Sequence, residues 1–220
     1  MDKINIKSIK SKYILRVTFD YLQQNKFLEL IKYNKSIQNI LDINKASYKE
    51  YKQLEIEVIP GNIQCESKII NIIFEKDKPY YHIYFDDNKE EKKEYLINEK
   101  DQVQKIKVII DYEVKSLPCL FKDCRFIKKI NIIKCHRKDL EDINSMFCGC
   151  SSLIELNLAN LNTDKVTDIS WIFYECSLLK EIKLPNFNTN NVTKMDGIFQ
   201  KCSSLKEINL SNFNIDKVTE

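Results

Sequence analysis

The feature that most constrains this chain is a 26-residue period in its C-terminal half. Phe147, Phe173 and Phe199 stand 26 apart, and so do Cys150, Cys176 and Cys202, then Leu153, Leu179 and Leu205. Leu156, Ile182 and Ile208 follow, then Leu158, Leu184 and Leu210, then Val166, Val192 and Val218. One period earlier stands a worn copy (Phe121, Cys124, Ile127, Ile130, Ile132, Leu140, Ile143, Met146), preceded in register by Val114, Leu117 and Leu120. A fixed period with an L-x-x-L-x-L core marks a stacked repeat, because one such unit cannot bury its own apolar face. The last two apolar positions of that core are two apart, which is strand spacing. One strand per repeat, stacked at ~4.8 Å, predicts a parallel sheet in which matched residues overlie one another. About six apolar side chains per repeat, at roughly 1.5–3 kcal/mol each, are comparable with the ordering entropy. A short array is therefore expected to have modest stability.

Between the inward positions, the same register builds columns on the outward face of the strands. One column runs Lys129, Glu155, Glu181, Glu207 and the next runs Asn131, Asn157, Lys183, Asn209. Repeat arrays bind across such laterally extended surfaces, so these eight residues are the candidate partner-binding site. Asn162, Asn188 and Asn214 recur as well, and their reading is architectural: an Asn side chain satisfies backbone groups in a turn.

Chemistry-bearing patterns are missing elsewhere. Of eight cysteines, Cys124, Cys150, Cys176 and Cys202 lie on the repeat and read as a column of small buried thiols. Cys148 with Cys150, and Cys119 with Cys124, complete no four-ligand zinc set. With Gly61, Gly149 and Gly197 as the only glycines there is no glycine-rich phosphate loop. His82 lies in an alternating aromatic strand pattern, as a structural or surface residue. His136, next to Cys135, has no third group to orient a nucleophile. The expectation is a non-enzyme with no cofactor and no metal. A net charge of +3 excludes a strong electrostatic footprint for nucleic acid. No apolar run approaches ~18 residues, so no membrane span is expected. The start, MDKINIKSIK, lacks a signal-peptide pattern and implies a cytoplasmic location.

Ahead of the repeats, spacings of three and four predict short helices at about 11–23, 26–33 and 35–42, a helical cap within residues 1–52. Residues 53–111 read as a small β region. Its strands are LEIEVIP, then IINIIF and YYHIYF at hairpin distance across Lys78-Pro79, a Leu96–Ile97 patch, and IKVII at Ile106–Ile110. The last strand reads as the first rung of the array. The charge run DDNKEEKKE reads as a solvated loop. The predicted class is α+β: helical cap, small β region, then over 112–220 a short leucine-rich solenoid with a parallel sheet. The array stops mid-repeat at Val218-Thr219-Glu220. That pattern suits a fragment of a longer array, or an open end that self-associates.

The strings F-x-x-C-S-S-L-x-x-L-x-L-S-x-F-N-T-x-x-V-T-x-M over about 114–220 resemble the leucine-rich repeats of BspA-type surface proteins. The first copy departs from the pattern at Cys135-His136 and Arg125-Phe126. The resemblance implies a protein-binding array, with cell-surface adhesion as one role. A second stretch, Ile14 to Leu22, Phe27 to Ile31 and Tyr33 to Ile37, is similar to an F-box helical unit, although its usual Leu-Pro opening is missing. That resemblance implies docking on the Skp1 adaptor of a ubiquitin ligase, with the repeats holding a substrate. The expected function is a protein–protein interaction scaffold without catalysis.

Overall fold

The computed structural model describes residues 53–86 and 88–219, together with Lys35, Asn39, Glu50 and Lys52. Residues 53–220 form one compact unit. It is organised on a six-stranded sheet in the order β3-β5-β1-β6-β7-β8, beside a two-stranded ribbon of β2 and β4. The strands are β1 (Leu54–Pro60), β2 (Ser67–Lys68), β3 (Tyr81–Phe85), β4 (Leu96–Ile97), β5 (Ile106–Ile110), β6 (Ile127–Cys135), β7 (Glu155–Asn157) and β8 (Glu181–Lys183). Two 3₁₀ turns, Glu75–Tyr80 and Glu99–Asp101, complete the regular structure between residues 53 and 219.

The α+β expectation is corrected by this architecture. Residues 53–219 contain no α-helix and are built of sheet and turns. Of the predicted helices and the F-box-like stretch, Lys35 and Asn39 alone are among the described residues, and both are helical; the rest of those calls lies outside them. A self-contained solenoid on a parallel sheet is corrected too. Only β6-β7-β8 pair in parallel, while β1 pairs antiparallel with both β5 and β6. Ile106–Ile110 is not a first rung, for it lies antiparallel between β3 and β1. Ile69–Phe74 is not a strand and forms no hairpin with β3. Residues 75–80 coil into a 3₁₀ turn, and the edge of β3 faces the segment that returns through Lys92, whose N–H donates to Ile83. The physical reason is partner choice. Alternation in β1 (Leu54, Ile56 and Val58 buried; Glu55 and Glu57 half-buried) dictates which face goes inward, but not which strand lies alongside.

Beyond β6 the chain stacks at its 26-residue interval. Lys129, Glu155 and Glu181 are register partners, as are Ile130, Leu156 and Ile182. On another side of each rung Ser116, Asp142, Asp168 and Lys194 form successive parallel bridges. The phenylalanines stack ring on ring: 5.9 Å from Phe121 to Phe147, 6.0 Å to Phe173 and 5.4 Å to Phe199. Phe187 and Phe213 stack at 5.7 Å. The thiols of Cys150, Cys176 and Cys202 donate to the carbonyls of Phe121, Phe147 and Phe173, one rung back, at 3.0–3.1 Å. In the entry rung Cys124 finds Lys68 O at 3.3 Å instead. Burial pushes the Cys124 thiol up to about 12 and that of Cys150 well above its ordinary value, as expected where the anion has no solvent.

Three further ladders satisfy backbone groups that a stack of short strands leaves open. Asn160, Asn186 and Asn212 each donate from Nδ2 to a carbonyl of the preceding rung (Ile132, Ala159 and Pro185) at 2.8–3.0 Å. Thr163 and Thr189, both buried, donate to Asn188 O and Asn214 O and accept from the same residues' N–H groups. Asn162, Asn188 and Asn214 accept from the N–H two residues on, closing the turns. In the entry rung the position of Thr163 is taken by Arg137, which is 1% exposed. Its guanidinium donates to the carbonyls of Asp111, Tyr112 and Val114 and pairs with Asp139 at 2.9 Å. It thereby fixes the segment that leads from β5 into the stack.

Candidate functional site

The outward face of the rungs is positioned by strand alternation. Leu156 points inward, and its neighbours Glu155 and Asn157 point outward because successive side chains of a strand face opposite sides. Parallel pairing then sets Lys129, Glu155 and Glu181 side by side, and Asn131, Asn157 and Lys183 beside them. The structure brings these six together around a shallow groove of about 90 Å³. Lys129 Nζ lies 2.7 Å from Glu155, and Lys183 Nζ 3.2 Å from Glu181. The hydrogen bond between Lys129 and Glu155 draws the lysine up and the carboxyl down from their ordinary values. Asn157 Nδ2 donates to Asn131 Oδ1 at 2.8 Å. The side chains of Lys129, Glu155, Lys183 and Glu181 remain about half exposed. Their heads are ordered by one another and stay accessible.

Glu207 and Asn209 do not join this ladder. Both are exposed, in a segment that is not a strand, and Asn209 Oδ1 accepts from Ser211 N–H. A cleft of about 460 Å³ lies between that segment and β8.

Three contributors to the face were missed by reading the repeats alone. Glu57 pairs in register with Asn131 of β6 on one side and with Lys107 of β5 on the other. Lys107 Nζ reaches Glu55 at 2.8 Å. The surface therefore extends past the repeats onto β1 and β5. The alternation of LEIEVIP shows Glu55 and Glu57 pointing outward, but no sequence signal places β1 against β6.

The two histidines stand apart from this face. His82 Nδ1 is 3.0 Å from Glu91, and Nε2 is 3.6 Å from Asp111. His136 is half-buried in the entry rung. Among the described residues no group of three His, Cys, Asp or Glu side chains is arranged to hold a metal ion. Nor is any helix among them long and apolar enough to cross a membrane.

The stack coincides with the stretch that matches a known family model. Residues 115–220 match the model of DUF285, described as a Mycoplasma protein of unknown function. The matched segment opens next to Ser116, the first residue of the bridge column, and holds every rung from Phe121 onward. Strands β1 to β5 lie before it. No curated protein and no solved structure matches the chain.

Proposed function

We propose that this chain is a protein-recognition scaffold without catalytic activity, and that the outward face of β6, β7 and β8 receives the partner. The observation that supports this reading is the register of Lys129, Glu155 and Glu181 with Asn131, Asn157 and Lys183. Together they give a rigid, polar, accessible surface wider than any one rung. Side chains held by neighbours lose less entropy on binding than free ones, which favours recognition by such a surface. Within this proposal the DUF285 segment is of the BspA-type leucine-rich-repeat kind, on the strength of its F-x-x-C-S-S-L strings. The protein is cytoplasmic and binds neither cofactor nor nucleic acid. Self-association through the last rung belongs to the same proposal, since Leu210 and Ile215 are exposed there.

The test is affinity capture with the 220-residue chain as bait, comparing wild type with the charge-reversed pair Glu181→Lys and Lys183→Glu. A protein held by the wild type and released by the variant, with unchanged circular dichroism, is the expected result. Equal capture by both removes the strand face from the reading. Sedimentation equilibrium decides self-association: a monomer at every concentration excludes it.

A further inference from the structure

The turn that opens each rung carries a second feature, away from the strand face. Cys119, Ser145, Trp171 and Gly197 occupy equivalent positions, and all four have left-handed backbone, with φ of 59°, 52°, 59° and 55°. Glycine enters that region freely, and a bulky aromatic residue is among the worst suited to it. Trp171 holds that conformation with 40% of its surface left exposed. The next rung also gives up a side chain to seat it. A Cβ on Gly197 would lie 2.4 Å from both Cε3 and Cζ3 of the indole. Tyr174 meets the indole edge-on at 5.2 Å, and Lys201 Nζ stands 4.8 Å from the Tyr174 ring while pairing with Glu175. A flat aromatic surface is thus fixed in place and presented to solvent. Backbone strain held at an exposed side chain points to function rather than to stability.

Glu175 and Lys201 also line an open groove of about 570 Å³ that carries one serine per rung: Ser151, Ser177 and Ser203. Ser177 and Ser203 donate from Oγ to the carbonyls one rung back, and their oxygens retain acceptor capacity. The charges here are matched internally, Lys201 with Glu175 and Arg125 with Asp123. Charges of both signs line the groove, so it favours no ligand of a single charge. The aromatic pair meets the edge of this groove through Lys201, which lines it and lies over the Tyr174 ring. Aromatic faces next to a row of hydroxyls complement a sugar, which offers a C–H face and a hydroxyl edge. The groove is too shallow to enclose a small molecule and suits a ligand that runs along it. The rungs that carry it stack at the ~4.8 Å strand spacing, with their phenylalanine rings 5.4–6.0 Å apart in the core, and that rise is of the order of one hexose unit in an extended glycan. We propose that Trp171 and Tyr174, with the serine-lined groove beside them, bind an extended neutral polysaccharide, independently of the strand face.

Trp171 is the chain's single tryptophan, so its emission reports on this site alone. Cellohexaose and chitohexaose are titrated into the full chain. The expected result is a saturable blue shift with protection from acrylamide quenching for at least one of them. Trp171→Asn, whose side chain suits left-handed backbone, is expected to weaken that binding by calorimetry about tenfold or more, with a melting temperature equal to or above the wild type's. Trp171→Tyr, which keeps a ring, should retain part of the affinity. No spectral response to either oligosaccharide at millimolar concentration overturns the proposal. So does a fall in melting temperature for Trp171→Asn, which would make the indole a packing residue. Binding to a protein partner that depends on Trp171 in the absence of any glycan response also overturns it, in favour of a protein contact.

Discussion

Arg137 offers the most demanding test of how the stack is joined to the sheet before it. Its side chain is buried, and it donates to the carbonyls of Asp111, Tyr112 and Val114. Truncation in Arg137→Ala orphans these three acceptors unequally. Val114 is 1% exposed, so its carbonyl keeps no route to solvent and costs about 1–3 kcal/mol. Asp111 and Tyr112 are half-buried, and water recovers part of the loss there, leaving about 0.5–1 kcal/mol each. The vacated volume adds lost packing, because the stem of an arginine fills space as an apolar side chain does. Asp139 is more exposed and is rehydrated at little cost. The sum is about 3–5 kcal/mol, in the range seen when one partner of a buried polar pair is removed. With a urea slope near 2 kcal/mol per molar, the unfolding midpoint should fall by about 1.5–2.5 M. Circular dichroism of the sheet signal against urea measures it. Arg137→Thr, which installs the residue of the later rungs, should lose less than the alanine variant but stay below wild type, since a hydroxyl cannot reach three carbonyls. A midpoint shift under about 0.5 M for Arg137→Ala would refute the reasoning, because a loss near 1 kcal/mol means the acceptors find other donors.

Three further outcomes follow from the stack itself. Phe173 lies between Phe147 and Phe199, so Phe173→Ala should cost about 3–5 kcal/mol of stability by urea titration; a loss near that of an exposed substitution would deny the ring column. In native protein at pH 8 a thiol-specific chromogenic disulfide should modify exposed Cys65 quickly and leave Cys124, Cys150 and Cys176 untouched until urea is added. Early reaction of the three buried thiols would count against the ladder. The carboxyl of Asp164 sits below the ordinary carboxylate range, first because Asn188 donates to it and then because Asn162 does. Its depressed folded value means that its stabilising contribution is complete above the ordinary range and is lost as pH falls through that depressed value. Asp164→Asn should therefore flatten the acid limb of the melting-temperature profile, and an unchanged limb would rule the carboxyl out as its source.

What sequence alone determined is the part in which each repeat specifies the next. A phenylalanine, a small thiol and aliphatics recurring every 26 residues can bury themselves only by lying over their counterparts, so the columns of Phe121 to Phe199 and of Cys124 to Cys202 were legible from spacing. So was the outward column from Lys129 to Glu181, because a strand's side chains alternate. Spacing said nothing of Glu207 and Asn209 leaving the ladder, nor of Asn160, Asn186 and Asn212, whose work is to satisfy carbonyls that appear only once the rungs are stacked. Nor could it set β1 between β5 and β6: period-two alternation tells a strand which face to bury and is silent on its neighbour, which is a long-range choice made by the whole sheet. That choice extends the candidate face onto Glu55, Glu57 and Lys107, makes the sheet mixed, and turns Arg137, a residue that composition alone would assign to the surface, into the buried link between its two halves.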